Sequence, residues 1–200
     1  LSELSDVIAA RRSIRRYLDR SVPAQSIDRL LAAATRAPSA HNRQPWRFAV
    51  VTTAAVKAQL ADRLGERLKA DRLTDGDPIA DIERDVRRSR ARITAAPALI
   101  AVCLSMSEMD RYSDDRRTAL ERVMAVQSVA AAIQNLLLTA HDLGLGACWM
   151  CAPLFAPEAV RDALNLPPDW EAQALITLGY PADAGWFKDR ADFKEKTLYR

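Results

Sequence analysis

Two patterns of apolar and polar residues alternate along the chain. In some segments the apolar residues recur every three or four positions, the spacing that places them on one face of a helix. The first of these segments predicts a short helix that begins near Ser5. The others predict helices over about 27–34, 56–68, 79–94, 117–142 and 157–164. Between them lie continuous apolar runs, which predict buried strands at 47–51, 97–105, 147–151 and 172–180.

The longest predicted helix carries apolar residues on nearly every side between positions 123 and 140. A run of this length could cross a membrane, but Gln127, Gln134 and Asn135 lie inside it and each would be costly in lipid. The pattern therefore predicts a central buried helix and no membrane span. Because this helix is more apolar than the core of a 200-residue chain requires, it also predicts a subunit interface.

A loop of small and polar residues, A-P-S-A-H-N-R-Q-P at 37–45, precedes the first predicted strand. Its prolines, Pro38 and Pro45, fix the backbone at both ends and restrict the residue before each. Such a stiff loop suits holding backbone N–H groups and the side chains of Ser39, Asn42 and Gln44 against a flat ligand. The same composition also fits an ordinary connector between a helix and a strand.

Composition narrows the class of protein. With 29 basic and 26 acidic residues the net charge is only +3, which argues against a dedicated nucleic-acid binder. The length fits one domain spanning 1–200, or one protomer of an intimate oligomer. Three cysteines are too few for a disulfide framework. The N-terminus lacks the apolar stretch of a signal peptide, so we expect a cytoplasmic protein.

Four arginines surround Ser13 at the end of the first predicted helix, in the sequence R-R-S-I-R-R at 11–16. One interpretation is a charged helix end, since cations are favourable near a helix C-terminus. The other is an anion site, because forked guanidinium donors match phosphate groups. Both interpretations remain open from the sequence.

The most charged region, 68–96, is predicted to form a helical insert. Its second half is rich in arginine and carries apolar residues only at Ile79, Ile82, Val86 and Ile93. A solvated, weakly packed helix explains this composition. The alternative is a mobile cover over a ligand site, because excursions from a compact core often carry substrate contacts.

Several common catalytic patterns are incomplete. Cys148 and Cys151 have redox C-x-x-C spacing, but that mechanism needs the first cysteine at a helix N-terminus, and we expect both to lie in an apolar strand. The cysteines, His41 and His141 lack the paired spacing of a zinc site, so no metal is expected. The chain has no G-x-S-x-G, G-x-G-x-x-G or P-loop pattern either.

Five short motifs, taken in order, resemble the nitroreductase family. They are R-R-S-I-R-R-Y at 11–17, A-P-S-A-H-N-R-Q-P-W at 37–46, G-L-G-A at 144–147, L-G-Y-P at 178–181 and K-x-R at 188–190. No single motif is specific, but the five occur in the family's order and extend over nearly the whole length of the chain. Within the family, the charged insert and the stretches G-L-G-A-C-W and F-A-P-E-A-V-R most resemble one branch. That branch is the nitroreductase-like domain of the bacterial ligase that adds glutamate to the deazaflavin coenzyme.

The resemblance implies an α+β fold, with a central, mostly antiparallel sheet wrapped by helices, in an intertwined homodimer. Two FMN molecules would bind at the dimer interface. Arg11 would meet the phosphate, Arg15 the N1/O2 edge of the flavin ring, and Arg12 and Ser13 would make further FMN contacts. Lys188 and Arg190 would complete the phosphate site. The ring would be lined from the other subunit by Pro38, Ser39, Ala40 and Asn42, with Gln44 of the same loop as a further cofactor-binding residue.

Backbone groups at Cys151 and Ala152 would approach N5 and O4 of the ring, although the family more often has glutamate and glycine there. The implied activity is a ping-pong transfer of reducing equivalents from NAD(P)H, through FMN, to a nitroaromatic, a quinone or an unsaturated cofactor-like acceptor. The flavin performs this chemistry, so no side chain need act as a nucleophile. The alternatives are a flavin- or deazaflavin-binding module acting in cofactor biosynthesis, and an enzyme that fragments its flavin.

Overall fold

Four antiparallel strands form the centre of the structure, a computed structural model that describes residues 3–200. Their order across the sheet is β1-β2-β4-β3. The central strands carry apolar side chains on both faces, because alternate residues point to opposite sides of the sheet and both sides are covered. The strands are β1 (Trp46–Val51), β2 (Ala98–Leu104), β3 (Gly146–Met150) and β4 (Glu171–Gly179).

Helices pack on both faces of this sheet. On one face, α2 and α5 contribute to a core that includes Leu30 and Ile133. On the other face, α3, α4 and α7 contribute to a second core that includes Leu60, Ile93 and Val160. The helices of the described residues are α1 (Leu4–Ala10), α2 (Ala24–Ala34), α3 (Ala54–Thr74), α4 (Ile79–Ala95), α5 (Asp115–Asp142), α6 (Ala152–Phe155) and α7 (Pro157–Leu164).

Helix α5 confirms the prediction of a long central helix. By length and composition it could cross a membrane, but one of its faces packs in the core. The polar residues inside it are used there: Asn135 donates to the carbonyl of Ala33 at 3.2 Å, and Ser128 to that of Met124 at 2.7 Å. Its burial is one-sided rather than complete, since Val123 is 50% exposed and Leu120 is exposed beside it.

All four predicted strands form, and each of their ends lies within one residue of the prediction. Two details differ. Helix α3 runs on to Thr74, beyond the predicted end at 68, and directly meets the turn before α4. The single-turn helix α6 was not predicted, and it begins after Cys151, which therefore lies outside β3.

The charged insert packs as a hairpin of two helices, α3 and α4. Two residues of α4, Ile82 and Ile93, are fully buried. Arg72 ties the hairpin together through ion pairs of 2.5 Å each with Asp77 and Asp85. The expectation that this segment packs weakly is therefore wrong, because these two apolar residues lie on the face that meets the core.

This packing gives a stability test with a matched control on the same helix. Ile82→Ala should lower the free energy of unfolding by about 2–5 kcal/mol, because it leaves a cavity in a filled interior. Ile79→Ala, at a position that is 62% exposed, should change it by less than about 0.5 kcal/mol. Urea denaturation followed by circular dichroism measures both. Equal effects would show that the hairpin does not pack as described.

Candidate functional site

The arginine-rich segment after α1 is pinned to the edge of the sheet. The backbone N–H of Ile14 donates to the carbonyl of Ala147 in β3 at 3.0 Å, and Ser13 pairs with the same residue in a parallel bridge. Gly146 makes this approach possible, since a Cβ there would lie 2.7 Å from Ile14. The hydroxyl of Tyr17 donates to the carbonyl of Ile14 at 2.6 Å. These contacts fix the backbone from which the arginine side chains project.

The turn that follows β4 is tied to the same segment. The N–H of Ala182 donates to the carbonyl of Arg16 at 3.0 Å. Asp183 accepts from the guanidinium of Arg16 at 2.6 Å and from the N–H of Gly185 at 2.9 Å. Gly185 has a φ of +72°, and a Cβ there would lie 2.9 Å from Ile14. The turn thus carries the next residues of the chain to the arginines.

The two basic clusters of the sequence meet in one cavity of about 550 Å³, the basic cavity. This volume is in the range of small-molecule sites. Its polar and aromatic lining comes from both segments, with the end of α1 at one side. The lining residues are Ile8, Ala9, Arg11, Arg12, Ser13, Arg15, Trp186, Phe187, Lys188 and Arg190.

A second cavity of about 540 Å³, the arginine cleft, shares Ser13, Arg15 and Trp186 with the basic cavity. Its remaining lining includes Arg92, which reaches it from α4 in the charged insert. Burial lowers the pKa of the half-buried Arg92, and the like charges of Arg88 and Arg15 lower it further. The insert therefore places a cation at this cleft.

Sequence reasoning missed Arg92 among the many arginines of the insert. A signal was present, however. Arg84, Arg87 and Arg88 each have an acidic residue three or four positions before them and pair with it. Arg92 has no acidic residue at such a spacing on either side. No carboxylate of its own helix is therefore placed to pair with its guanidinium.

The site carries positive charge that the described part of the chain does not neutralise. Arg16 is paired with Asp183, whereas no carboxylate within residues 3–200 forms an ion pair with Arg11, Arg15, Arg92, Lys188 or Arg190. Arg12 differs, because it donates to the carbonyl of Ala9 at 2.6 Å and lies over the Phe187 ring. Both sequence interpretations thus apply: Arg12 closes the helix end, and its neighbours suit an anion.

The two cysteines lack the arrangement that a redox C-x-x-C needs. Cys148 is buried in β3, and burial raises the pKa of its thiol, although Arg15 and Arg92 oppose this shift. Cys151 is exposed and precedes α6, so the expectation that both lie in the strand is wrong for Cys151. The helix N-terminus follows the second cysteine, whereas the first lies in the strand, away from a helix end that would lower the pKa of its thiol.

The loop at 37–45 is docked on α5 and holds a strained backbone. The N–H of Ala40 donates to the Ser128 hydroxyl at 3.3 Å, and the N–H of Gln44 to the Ser39 hydroxyl at 3.1 Å. His41, Asn42 and Gln44 have φ angles of 48°, 55° and 50°. Each such residue costs about 1–3 kcal/mol and persists only where the surroundings enforce it. Strain of this kind clusters at functional sites.

Not all of the predicted site residues come together within one chain. Asn42 and Gln44 line an open cavity of about 750 Å³ beside β1, and Ala152 lines one of about 250 Å³ between α6 and the insert hairpin. Neither the 38–44 loop nor the pair Cys151 and Ala152 lines the basic cavity or the arginine cleft. The chain by itself therefore presents the basic half of the predicted site.

Residues 8–180 match the sequence profile of the nitroreductase family. The chain belongs to the nitroreductase family. The α+β architecture predicted from the motifs is confirmed for this nitroreductase-family chain by its fold and its structural relatives.

Two proteins similar in sequence align with this chain over most of the length of both. A protein of Methanothermobacter thermautotrophicus named NADH dehydrogenase/NAD(P)H nitroreductase is 32% identical over 95% of this chain and 83% of its own. A protein of Bacillus subtilis named NAD(P)H nitroreductase is 28% identical over 98% of this chain and 93% of its own.

Two solved structures are similar over nearly the full length of the chain. A nitroreductase of Desulfovibrio desulfuricans, solved in complex with FMN, superposes with a TM-score of 0.75 at 28% identity, covering 100% of this chain and 98% of that one. A BluB-like flavoprotein of Clostridium difficile superposes with a TM-score of 0.81 at 23% identity, covering 100% of both chains. At this identity the likeness shows the fold alone.

Proposed function

We propose that this chain is an FMN-dependent oxidoreductase that passes reducing equivalents from NAD(P)H to a small-molecule acceptor in a ping-pong reaction. The observation that carries the proposal is the meeting of two unneutralised basic clusters in one cavity of a nitroreductase fold. The relatives named NAD(P)H nitroreductase and the FMN complex of a structural neighbour support it. The proposal takes 1–200 as a single FMN-binding domain that includes the charged insert.

The basic cavity fits the phosphate end of FMN. Arg11, Lys188 and Arg190 offer charged donors without carboxylate partners in the described chain, and Ser13 adds a hydroxyl at the shared wall. Guanidinium groups bind phosphate oxygens with short, charge-assisted hydrogen bonds. Arg12 would contribute its positive field from the helix end.

The arginine cleft fits the N1/O2 edge of the flavin ring. When bound, FMN supplies the hydride chemistry itself. Arg15, with Arg92 beside it in the same cleft, would stabilise negative charge that develops at this edge. Charge that is already positioned where negative charge develops stabilises it without further rearrangement of the site.

The rest of the flavin site would come from a second copy of the chain. We propose that Pro38, Ser39, Ala40, Asn42 and Gln44 of one protomer line the ring bound by its partner. The strained, docked backbone of this loop suits a preformed contact surface. Backbone groups near Cys151 and Ala152 would approach N5 and O4 across the same interface region.

The proposed homodimer interface includes the 123–140 part of α5, whose exposed apolar residues include Val123 and Val126. Light scattering of the flavin-loaded protein at micromolar concentration should therefore report twice the mass of the chain. A single-chain mass with flavin still bound would contradict the dimer.

The acceptor would be a nitroaromatic, a quinone or an unsaturated cofactor-like molecule. The sequence resemblance to the ligase-linked branch favours the cofactor-like class, while the relatives described above carry the nitroreductase and NADH dehydrogenase names. A binding module without turnover is the second candidate. Flavin fragmentation is the third candidate, and none of the contacts described above favours it.

The phosphate assignment gives a ligand-specific test. Arg190→Ala should weaken FMN binding by about tenfold to a hundredfold, because a charge-assisted hydrogen bond contributes about 1.5–3 kcal/mol. Riboflavin, which lacks the phosphate, should lose much less. Both ligands are titrated into apo-protein, with Lys196→Ala as the control, since this basic residue of the same tail is exposed and lines neither cavity.

Equal losses for FMN and riboflavin on Arg190→Ala would mean that Arg190 supports the fold and does not meet the phosphate. A comparable loss of FMN affinity in Lys196→Ala would show that the net charge of the tail, and not a contact of Arg190, causes the effect.

A further inference from the structure

Trp186 follows a turn whose backbone is fixed. Gly185, with its left-handed backbone against Ile14, leads directly into Trp186. Asp183 closes the same turn by accepting from the Gly185 N–H and from Arg16. The indole itself is 91% exposed, so nearly all of its apolar surface is available to contact something outside the chain.

The indole stands at the junction of the basic cavity and the arginine cleft. Only Ser13, Arg15 and Trp186 line both. The side chains proposed to bind the phosphate lie in the first cavity, and Arg92 lies in the second. A flavin whose phosphate occupies one and whose N1/O2 edge occupies the other passes Trp186 between these ends.

Trp186 is also free for this contact where its neighbour is not. The Phe187 ring is occupied by the guanidinium of Arg12, which lies 4.7 Å from the ring centroid. Within residues 3–200 no cation lies over the Trp186 ring in the same way. Large flat side chains stack on heteroaromatic rings with little loss of rotamer freedom.

We propose that Trp186 packs against the ribityl chain and the adjoining edge of the bound flavin ring, and so acts as an additional flavin-binding residue. This inference rests on the proposed function, since it requires flavin in the joined cavities. It assigns to Trp186 a contact that is independent of the phosphate.

The test is titration of FMN and of riboflavin into apo-protein carrying Trp186→Ala. Loss of an aromatic stacking partner weakens binding by about fivefold to a hundredfold, and here both ligands should lose equally. Trp186→Phe should restore most of the affinity. Tyr199→Ala is the control, because this aromatic residue of the same tail is 83% exposed and lines neither cavity.

Bound-flavin fluorescence and light scattering together distinguish a flavin contact from a purely structural role of Trp186. The fluorescence of bound flavin should rise in Trp186→Ala, because an indole in contact quenches it, while the dimer mass should stay unchanged. Unchanged affinity for both ligands would overturn the inference. So would a monomeric Trp186→Ala protein, which would show that the indole covers a second copy of the chain.

Two different results would contradict the proposed function and the role of Trp186. A wild-type protein that binds neither FMN nor riboflavin would contradict the proposed function, and the role of Trp186 with it. Flavin binding by the wild type that Trp186→Ala does not change would contradict the role of Trp186 alone. A loss confined to FMN would place the indole at the phosphate and also contradict the inference.

Discussion

The close approach of residues 11–17 to the edge of the sheet is the constraint on which the candidate site depends. Gly146 leaves room for Ile14 beside β3, and Gly185 lets the turn after β4 close over the same side chain. A Cβ at position 146 would overlap the base of the Ile14 side chain, and one at position 185 would be strained by a φ of +72°. The convergence of the two basic segments on one cavity therefore depends on glycine at both positions.

Much of the fold was predictable because the two central strands are buried on both faces. A run such as 98–104 needs no periodicity to be recognised, since every position is apolar. The packing of the insert was not predictable from composition. Only Ile82 and Ile93 anchor α4 in the core, and two buried residues among many charges give a weak pattern. Helix α6 escaped prediction because a single turn cannot show helical spacing.

The site was predictable only in part, for a related reason. Local motifs identified Arg11, Arg15 and Arg190, and the structure brings them into one cavity. Arg92 joins them through the tertiary packing of the hairpin, which no local motif reports. Residues of the 38–44 loop line a different surface of the chain, so their proposed role depends on a second protomer, whose arrangement a single sequence does not encode in any local pattern.

The most direct test of the central claim is anaerobic titration of the FMN-loaded protein with NADPH and with NADH. An oxidoreductase of this kind should lose the visible absorbance of its flavin as the nucleotide is oxidised. The absorbance should return when a quinone or nitroaromatic acceptor is added, with no need for both substrates at once. Bound FMN that neither nucleotide bleaches would contradict the account, and would leave a flavin-binding module without turnover.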